Sequence, residues 1–247
     1  TALVSYTRKV IYLEEGDMAV ITPSKVNVYS ENGEPQERPV TRITWDIEVA
    51  EKGGYDHFMM KEMMEQPKAA ELTIMSRIKN GDIVFDETDL TKERLAGFDR
   101  IVITACGSAS YAGQAARYMI EKLLRIPVEV DLGSELRYRD PVVNEKTLLI
   151  VISQSGETAD TIAAMKECKK RGAYVLSIVN VVGSTIAKLS DDVLYTRAGP
   201  EIAVATTKGY TTQLAVLYLF AVYAAKVLGK IADEEYKKYI SELCELP

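Results

Sequence analysis

The chain of 247 residues is 47% hydrophobic and 27% charged, with a formal net charge of −6 at pH 7. That balance suits a globular protein with a core of its own, and its sign argues against a general nucleic-acid surface. Cys106, Cys168 and Cys244 are widely scattered and His57 stands alone, which argues against a disulfide framework, a zinc site or a histidine triad and fits a reducing, cytoplasmic protein with no metal and no cofactor.

Residues 1–45 alternate short apolar and polar runs, Val10–Leu13, Met18–Ile21 and Val26–Tyr29, separated by Glu15-Gly16-Asp17 and Glu31-Asn32-Gly33. This pattern predicts small β-hairpins. So small a piece lacks partners for its own core and reads as the end of another domain. The first residue is Thr1 rather than Met and the chain begins in mid-pattern, so it is expected to be a piece of something longer. Residues 46–80 are polar and then helical. The run Phe58–Met64 has close to helical spacing, Pro67 interrupts, and a second helix is expected over Lys68–Ile78.

Residues 81–230 alternate strand and helix. Strands are expected over Arg100–Cys106, Pro127–Leu132, Thr147–Ser153, Ala173–Asn180 and Asp192–Ala198. Helices are expected from Gly107-Ser108 to Leu124, after Ser153 through Arg171, at Gly183-Ser184, and over Thr206–Lys226. The fold class is therefore α/β, a doubly wound five-stranded parallel sheet preceded by a small β segment and linker helices. The most apolar stretch, Leu214–Val227, is too short and tyrosine-containing to cross a membrane. It has apolar residues to spare for pairing with a second copy. Residues 231–247 read as the start of a connecting segment.

The most informative stretch is Thr147–Asp160, TLLIVISQSGETAD. An apolar strand stops at a cluster of small hydroxyl residues, and helix formers follow at once. Ser153, Ser155 and Thr158 supply hydroxyls, Gln154 an amide, and Gly156 lets the backbone come close to a ligand. Free N–H donors and the dipole of the new helix favour an anion there. The competing reading is local, with Ser155 as a helix cap. No lysine ends the loop, so a nucleotide-binding loop of the Gly-Lys-Ser/Thr kind is excluded and a small phosphorylated metabolite is expected. With strand order 2-1-3-4-5, the turns at Gly107-Ser108 and Ser153–Thr158 share one crevice at the carboxyl ends of the strands.

This stretch and three others carry a resemblance. Ala105-Cys106-Gly107-Ser108, Ser134–Arg139, Ser153–Thr158 and Glu201–Lys208 are similar to the first sugar-isomerase (SIS) domain of the glutamine–fructose-6-phosphate aminotransferase family. The flanks agree: Tyr12–Asp17 resembles the end of that family's glutaminase domain, and His57–Glu62 with Glu65-Gln66-Pro67 resembles its interdomain segment. The resemblance implies a remnant of the glutaminase domain at 1–45, linker helices at 46–80, a first SIS domain at 81–230, and the start of a linker to a second SIS domain at 231–247. The family makes glucosamine 6-phosphate and glutamate from fructose 6-phosphate and glutamine. By resemblance, Ser153, Gln154, Ser155 and Thr158 hold the sugar phosphate. Ser108, Val204, Ala205 and Thr206 contact the sugar, Thr206 being alternatively a cap of the last helix. Ala109 stands where the family usually has Ser, which leaves Ser110 as a substitute hydroxyl.

The family's nucleophilic cysteine is absent, since residue 1 is Thr, and its isomerisation base belongs to the second SIS domain. No catalytic residue is therefore assigned in this chain, and Glu135 and Glu157 are read as salt-bridge or helix-end residues. The expectation is a fragment that binds fructose 6-phosphate or glucosamine 6-phosphate, pairs as a homodimer through the SIS domain, and does not turn the sugar over. A sugar-phosphate sensor would carry a basic helix-turn-helix segment where the hairpins stand. A deglycase or isomerase without a glutaminase would lack the Tyr12–Asp17 block.

Overall fold

The computed structural model describes residues 6–42, 52–86 and 88–247, and the chain divides into two compact units, Thr1–Gly54 and Tyr55–Pro247. The stretch 46–51, with which the linker was expected to begin, lies outside the described residues.

In the first unit, β1 (Lys9–Ile11) pairs antiparallel with β5 (Val40–Arg42). The strands β2 (Met18–Ile21), β3 (Val26–Tyr29) and β4 (Pro35–Gln36) form a three-stranded meander. Thr22 and Lys25 close the first hairpin, with the Thr22 N–H donating to Lys25 O at 2.8 Å. Val28 is the one buried apolar residue among the described residues of this unit, as expected of a few short strands without a packed second layer.

The second unit opens with α1 (Phe58–Met64) and α2 (Gln66–Met75). Pro67 occupies the first turn of α2, where its missing N–H costs nothing, so the proline starts the second helix earlier than expected. A two-residue hairpin, β6 (Ile78–Lys79) with β7 (Asp82–Ile83), and α3 (Lys92–Ala96) lead into the sheet. Its strands are β8 (Arg100–Ala105), β9 (Val128–Leu132), β10 (Thr147–Ser153), β11 (Tyr174–Val179) and β12 (Asp192–Tyr195). They pair parallel in the order β12-β11-β10-β8-β9, the 2-1-3-4-5 order on which the shared crevice depends.

Successive strand residues point to opposite faces. Ile101, Ile103, Ile150, Ile152 and Ile178 face α4 (Ser108–Leu124) and α8 (Lys208–Val227). Val102, Leu149, Val151 and Val175 face the other layer, α5 (Gly133–Leu136), α6 (Ala159–Lys170) and α7 (Thr185–Leu189). The apolar residues of α8 are not spare: Val216, Leu217, Leu219, Phe220, Ala221 and Val222 are fully buried within this chain. Residues 231–247, expected to begin a connecting segment, contain a helix. This is α9 (Asp233–Cys244), whose Tyr236, Ile240 and Leu243 join the core, and the Tyr236 hydroxyl accepts the Ile83 N–H at 2.8 Å.

Cys168 is fully enclosed in the second layer, and burial pushes its thiol up to about 11. Burial, then the hydrogen bond its hydroxyl donates to Asp192, also raises Tyr174. The fold holds the protonated forms. Their contribution is complete below the ordinary thiol value of 9.0 and is lost as pH rises towards the folded value of about 11. Urea unfolding at about pH 8 and about pH 10.5 is expected to show a loss of about 2 kcal/mol from Cys168. A Cys168→Ala variant should lose less over the same interval, and equal pH profiles in the two proteins would contradict this account.

Candidate functional site

Parallel pairing sends every strand of the sheet out at the same edge. Ala105 of β8 lies opposite Ile152 of β10, so the turns that follow these strands leave the sheet side by side. This is where ligands bind in open parallel sheets. The first turn is Cys106-Gly107, with Gly107 at φ 60°, a conformation that disfavours a side chain. Ser108 begins α4 and is exposed. Ser110 does not replace the hydroxyl missing at Ala109: it is buried, and its Oγ donates to Gly107 O at 2.7 Å. Thr161 Oγ1 on α6 donates to Cys106 Sγ at 3.4 Å, joining that helix to the first turn.

The second turn is built around Ser153. Its buried Oγ accepts the Gly156 N–H at 3.0 Å and lies 3.2 Å from Thr158 Oγ1. Ser155 Oγ accepts the Glu157 N–H at 3.2 Å, and its residue is exposed. Gly156 has φ 68°, and a Cβ there would lie 2.1 Å from Ser184 Oγ. The N-cap of α6 is Thr158 rather than Ser155, and its side chain makes no capping bond. The first N–H groups of α6 lack intrahelical acceptors, so the head of a twelve-residue helix points its dipole at this turn. Gln154 Oε1 is buried and has no hydrogen-bond partner among the described residues. Buried polar atoms are ordinarily paired, so this one fits a site that a ligand or water completes.

Glu157 serves a helix end, as expected: its Oε1 accepts the Thr185 N–H at 2.7 Å, at the start of α7. Glu135 is exposed in the first turn of α5. Arg137, in the motif after β9, forms a 2.6 Å ion pair with Asp160 in the first turn of α6. The turn itself therefore offers neutral donors and a helix terminus, an arrangement that can hold an anion.

Asn180, which the sequence reading passed over, ties the next two connections together. Its N–H donates to Gln154 O at 3.3 Å. Its Oδ1 accepts from Thr196 Oγ1 at 3.0 Å and from the Ala198 N–H at 2.9 Å, while Nδ2 donates to Gly199 O at 2.7 Å. An Asn directly after a strand was the available signal. The segment beyond carries Val204 and Ala205 on its exposed tip. Thr206 is neither free nor the helix cap: its Oγ1 donates to Glu201 Oε2 at 2.8 Å. Glu201 Oε1 is the group that accepts the Thr207 and Gly209 N–H groups, at 2.8 and 3.0 Å, at the head of α8.

The opposite edge of the sheet holds a cleft of about 420 Å³ lined by Glu93, Arg94, Glu145, Lys169 and Tyr174 among others. Its cations are paired, Arg94 with Asp89 at 2.8 Å and Lys169 with Asp191 at 2.7 Å. It lies at the amino ends of the strands, away from both turns. Among the described residues no group of His, Cys, Asp and Glu side chains is arranged to hold a metal, and no helix is long and apolar enough to cross a membrane.

A family model described as the SIS domain matches residues 94–223. Glutamine–fructose-6-phosphate aminotransferase (isomerizing) of Clostridium acetobutylicum is 49% identical over 247 residues, which are all of this chain and 41% of that protein. The protein of the same name from Caldanaerobacter subterraneus is 51% identical over the same shares. Among solved structures, the C-terminal domain of glucosamine-fructose-6-phosphate aminotransferase from Francisella tularensis superposes with a TM-score of 0.75 at 42% identity. That match covers 78% of this chain and 55% of the solved one. The chain thus spans about two fifths of the length of the curated relatives it matches.

Proposed function

This chain belongs to the SIS domain family, and on that premise we propose that it carries the sugar-phosphate-binding half of a glucosamine-6-phosphate synthase. In this reading Ser153, Gln154, Ser155 and Thr158 hold the phosphate of fructose 6-phosphate or glucosamine 6-phosphate, and Ser108, Val204, Ala205 and Thr206 border the sugar. The observation that carries it is the turn at the head of α6, where hydroxyls and a helix terminus converge without a cation. The longer protein would convert fructose 6-phosphate and glutamine into glucosamine 6-phosphate and glutamate. Residues 1–45 would be the end of its glutaminase domain, 46–80 a linker, 81–230 the first SIS domain, and 231–247 the start of the link to a second.

Ketose–aldose conversion needs a base within hydrogen-bond reach of the sugar's carbon-bound protons. Glu157 is bonded to the Thr185 N–H and Glu135 faces solvent, so this chain by itself is proposed to bind without turnover. Pairing as a homodimer through the SIS domain is part of the same reading. The free cysteines support a cytoplasmic setting.

Calorimetric titration tests the proposal. Fructose 6-phosphate is expected to saturate with Kd near 1 mM, about −4 kcal/mol, while unphosphorylated fructose gives no saturable heat. Ser155→Ala should weaken the phosphorylated sugar roughly tenfold, through the loss of one hydrogen bond to a charged group. Equal binding of fructose and its phosphate would overturn the assignment of the turn. Glucosamine 6-phosphate synthesis by the pure chain would overturn the claim of binding without turnover.

A further inference from the structure

The segment that bears Val204 and Ala205 is held by residues on α1 and α2, about 140 positions earlier in the chain. Glu62 is 2% exposed, and its Oε1 accepts two backbone N–H groups, Ile202 at 2.6 Å and Ala203 at 3.1 Å. Just beyond the tip, Lys208 Nζ, also buried, reaches Glu65 Oε2 at 2.6 Å. Thr211 Oγ1 donates to Gln66 Oε1 at 2.6 Å. The base under these contacts is itself fixed: the buried Arg77, just after α2, donates to Tyr195 O, the last residue of β12, at 2.7 Å. Both shoulders of the segment are therefore anchored while the tip stays exposed, with Val204 fully open to solvent.

A buried carboxylate is costly to desolvate and is retained where it satisfies several donors at once. Simple packing of α1 would be served as well by an apolar residue. What a carboxylate adds is a fixed path for the backbone just ahead of Val204, so that the tip need not be ordered when a ligand arrives.

We propose that Glu62 is a positioning residue for sugar binding: it presets the Val204–Ala205 backbone, with Glu65 and Lys208 holding the far shoulder. The proposal rests on the reading of this crevice as a sugar-phosphate site, and it assigns α1 a part in that site. Glu62 acts on the sugar end only, because the phosphate turn after β10 is held by Ser153 and Asn180.

The test is an NMR titration of the full chain with fructose 6-phosphate and, separately, inorganic phosphate, on wild type, Glu62→Ala and Glu62→Gln. Glu62→Ala is expected to speed exchange of the Ile202 and Ala203 amides and to weaken fructose 6-phosphate about tenfold, leaving inorganic phosphate within about twofold. Glu62→Gln keeps one acceptor oxygen and should recover most of the sugar affinity; if the alanine variant does not fold, a selective loss of about threefold in this variant decides the matter. Unchanged sugar binding despite faster amide exchange would overturn the proposal, as would equal loss of both ligands in a folded variant. Failure of the wild type to bind either ligand would instead defeat the reading of the site itself, and the positioning role with it.

Discussion

Gly156→Ala is expected to destabilise the protein by about 2–5 kcal/mol, combining backbone strain with overpacking, and to abolish saturable sugar-phosphate binding. Gly156 has φ 68°, and an added Cβ would meet Ser184 Oγ at 2.1 Å and Ser184 Cβ at 2.5 Å. Ser184 is 3% exposed and precedes α7, so it has no solvent to retreat into. The Gly156 carbonyl also accepts the Ile186 N–H at 3.0 Å, which binds the turn to α7 from the other side. Gly183 supplies the control. It has a similar φ of 74° but nothing within 4 Å of the Cβ position, so Gly183→Ala should carry the backbone strain alone. Urea unfolding of both variants separates the two contributions. A Gly156→Ala protein as stable as Gly183→Ala, and still binding fructose 6-phosphate, would show that the turn is looser than this geometry requires.

The second large effect is expected at Glu201. Its carboxylate accepts the Thr207 and Gly209 N–H groups and the Thr206 hydroxyl, at 2.8, 3.0 and 2.8 Å. Gly209 leaves the space this requires, since a Cβ there would sit 2.5 Å from Glu201 Oε2. The helix so capped is the twenty-residue α8, which supplies much of the larger core. Removing the acceptor strands two N–H groups at a helix start and takes away a negative charge that the helix dipole favours. Glu201→Ala should cost about 2–4 kcal/mol, and Glu201→Gln about half as much, because one oxygen still accepts. Hydrogen exchange read at Thr207 and Gly209 localises the loss. A stability change in Glu201→Ala below about 0.5 kcal/mol would mean that water replaces the carboxylate at no cost.

The sheet was legible because its signals are local. The run Thr147–Ser153 is buried along its whole length and contains no breaker, and it forms β10 with the limits expected. Arg100–Cys106 overran β8 by one residue and Asp192–Ala198 overran β12 by three, where the chain peels away to meet Asn180. The hydroxyl turn at Ser153–Thr158 was likewise visible as a cluster, since strand end, glycine and helix start lie within six residues. Its internal arrangement was not. The choice of Thr158 over Ser155 as N-cap depends on Ser153 Oγ drawing in the Gly156 N–H, a bond that exists only once the glycine adopts positive φ.

Other outcomes had no local signal. That α9 docks on the core through Tyr236, Ile240 and Leu243 follows from the surface that the hairpin β6–β7 and α8 present to it. Ser110 turned away from the crevice because a helical position put its hydroxyl over Gly107 O. By itself the sequence determined the alternation of strands and helices, the two layers of core, and the place of the hydroxyl turn, since each follows from the period of apolar residues along a single element. Only the tertiary structure decided that Asn180 would join two turns, that Glu201 would cap α8, and that Glu62 would hold the shoulder of a loop 140 residues away. Those bonds form between groups whose separation in the chain carries no period, and their partners are selected by burial, which leaves a polar atom no acceptor or donor except the one the fold brings to it.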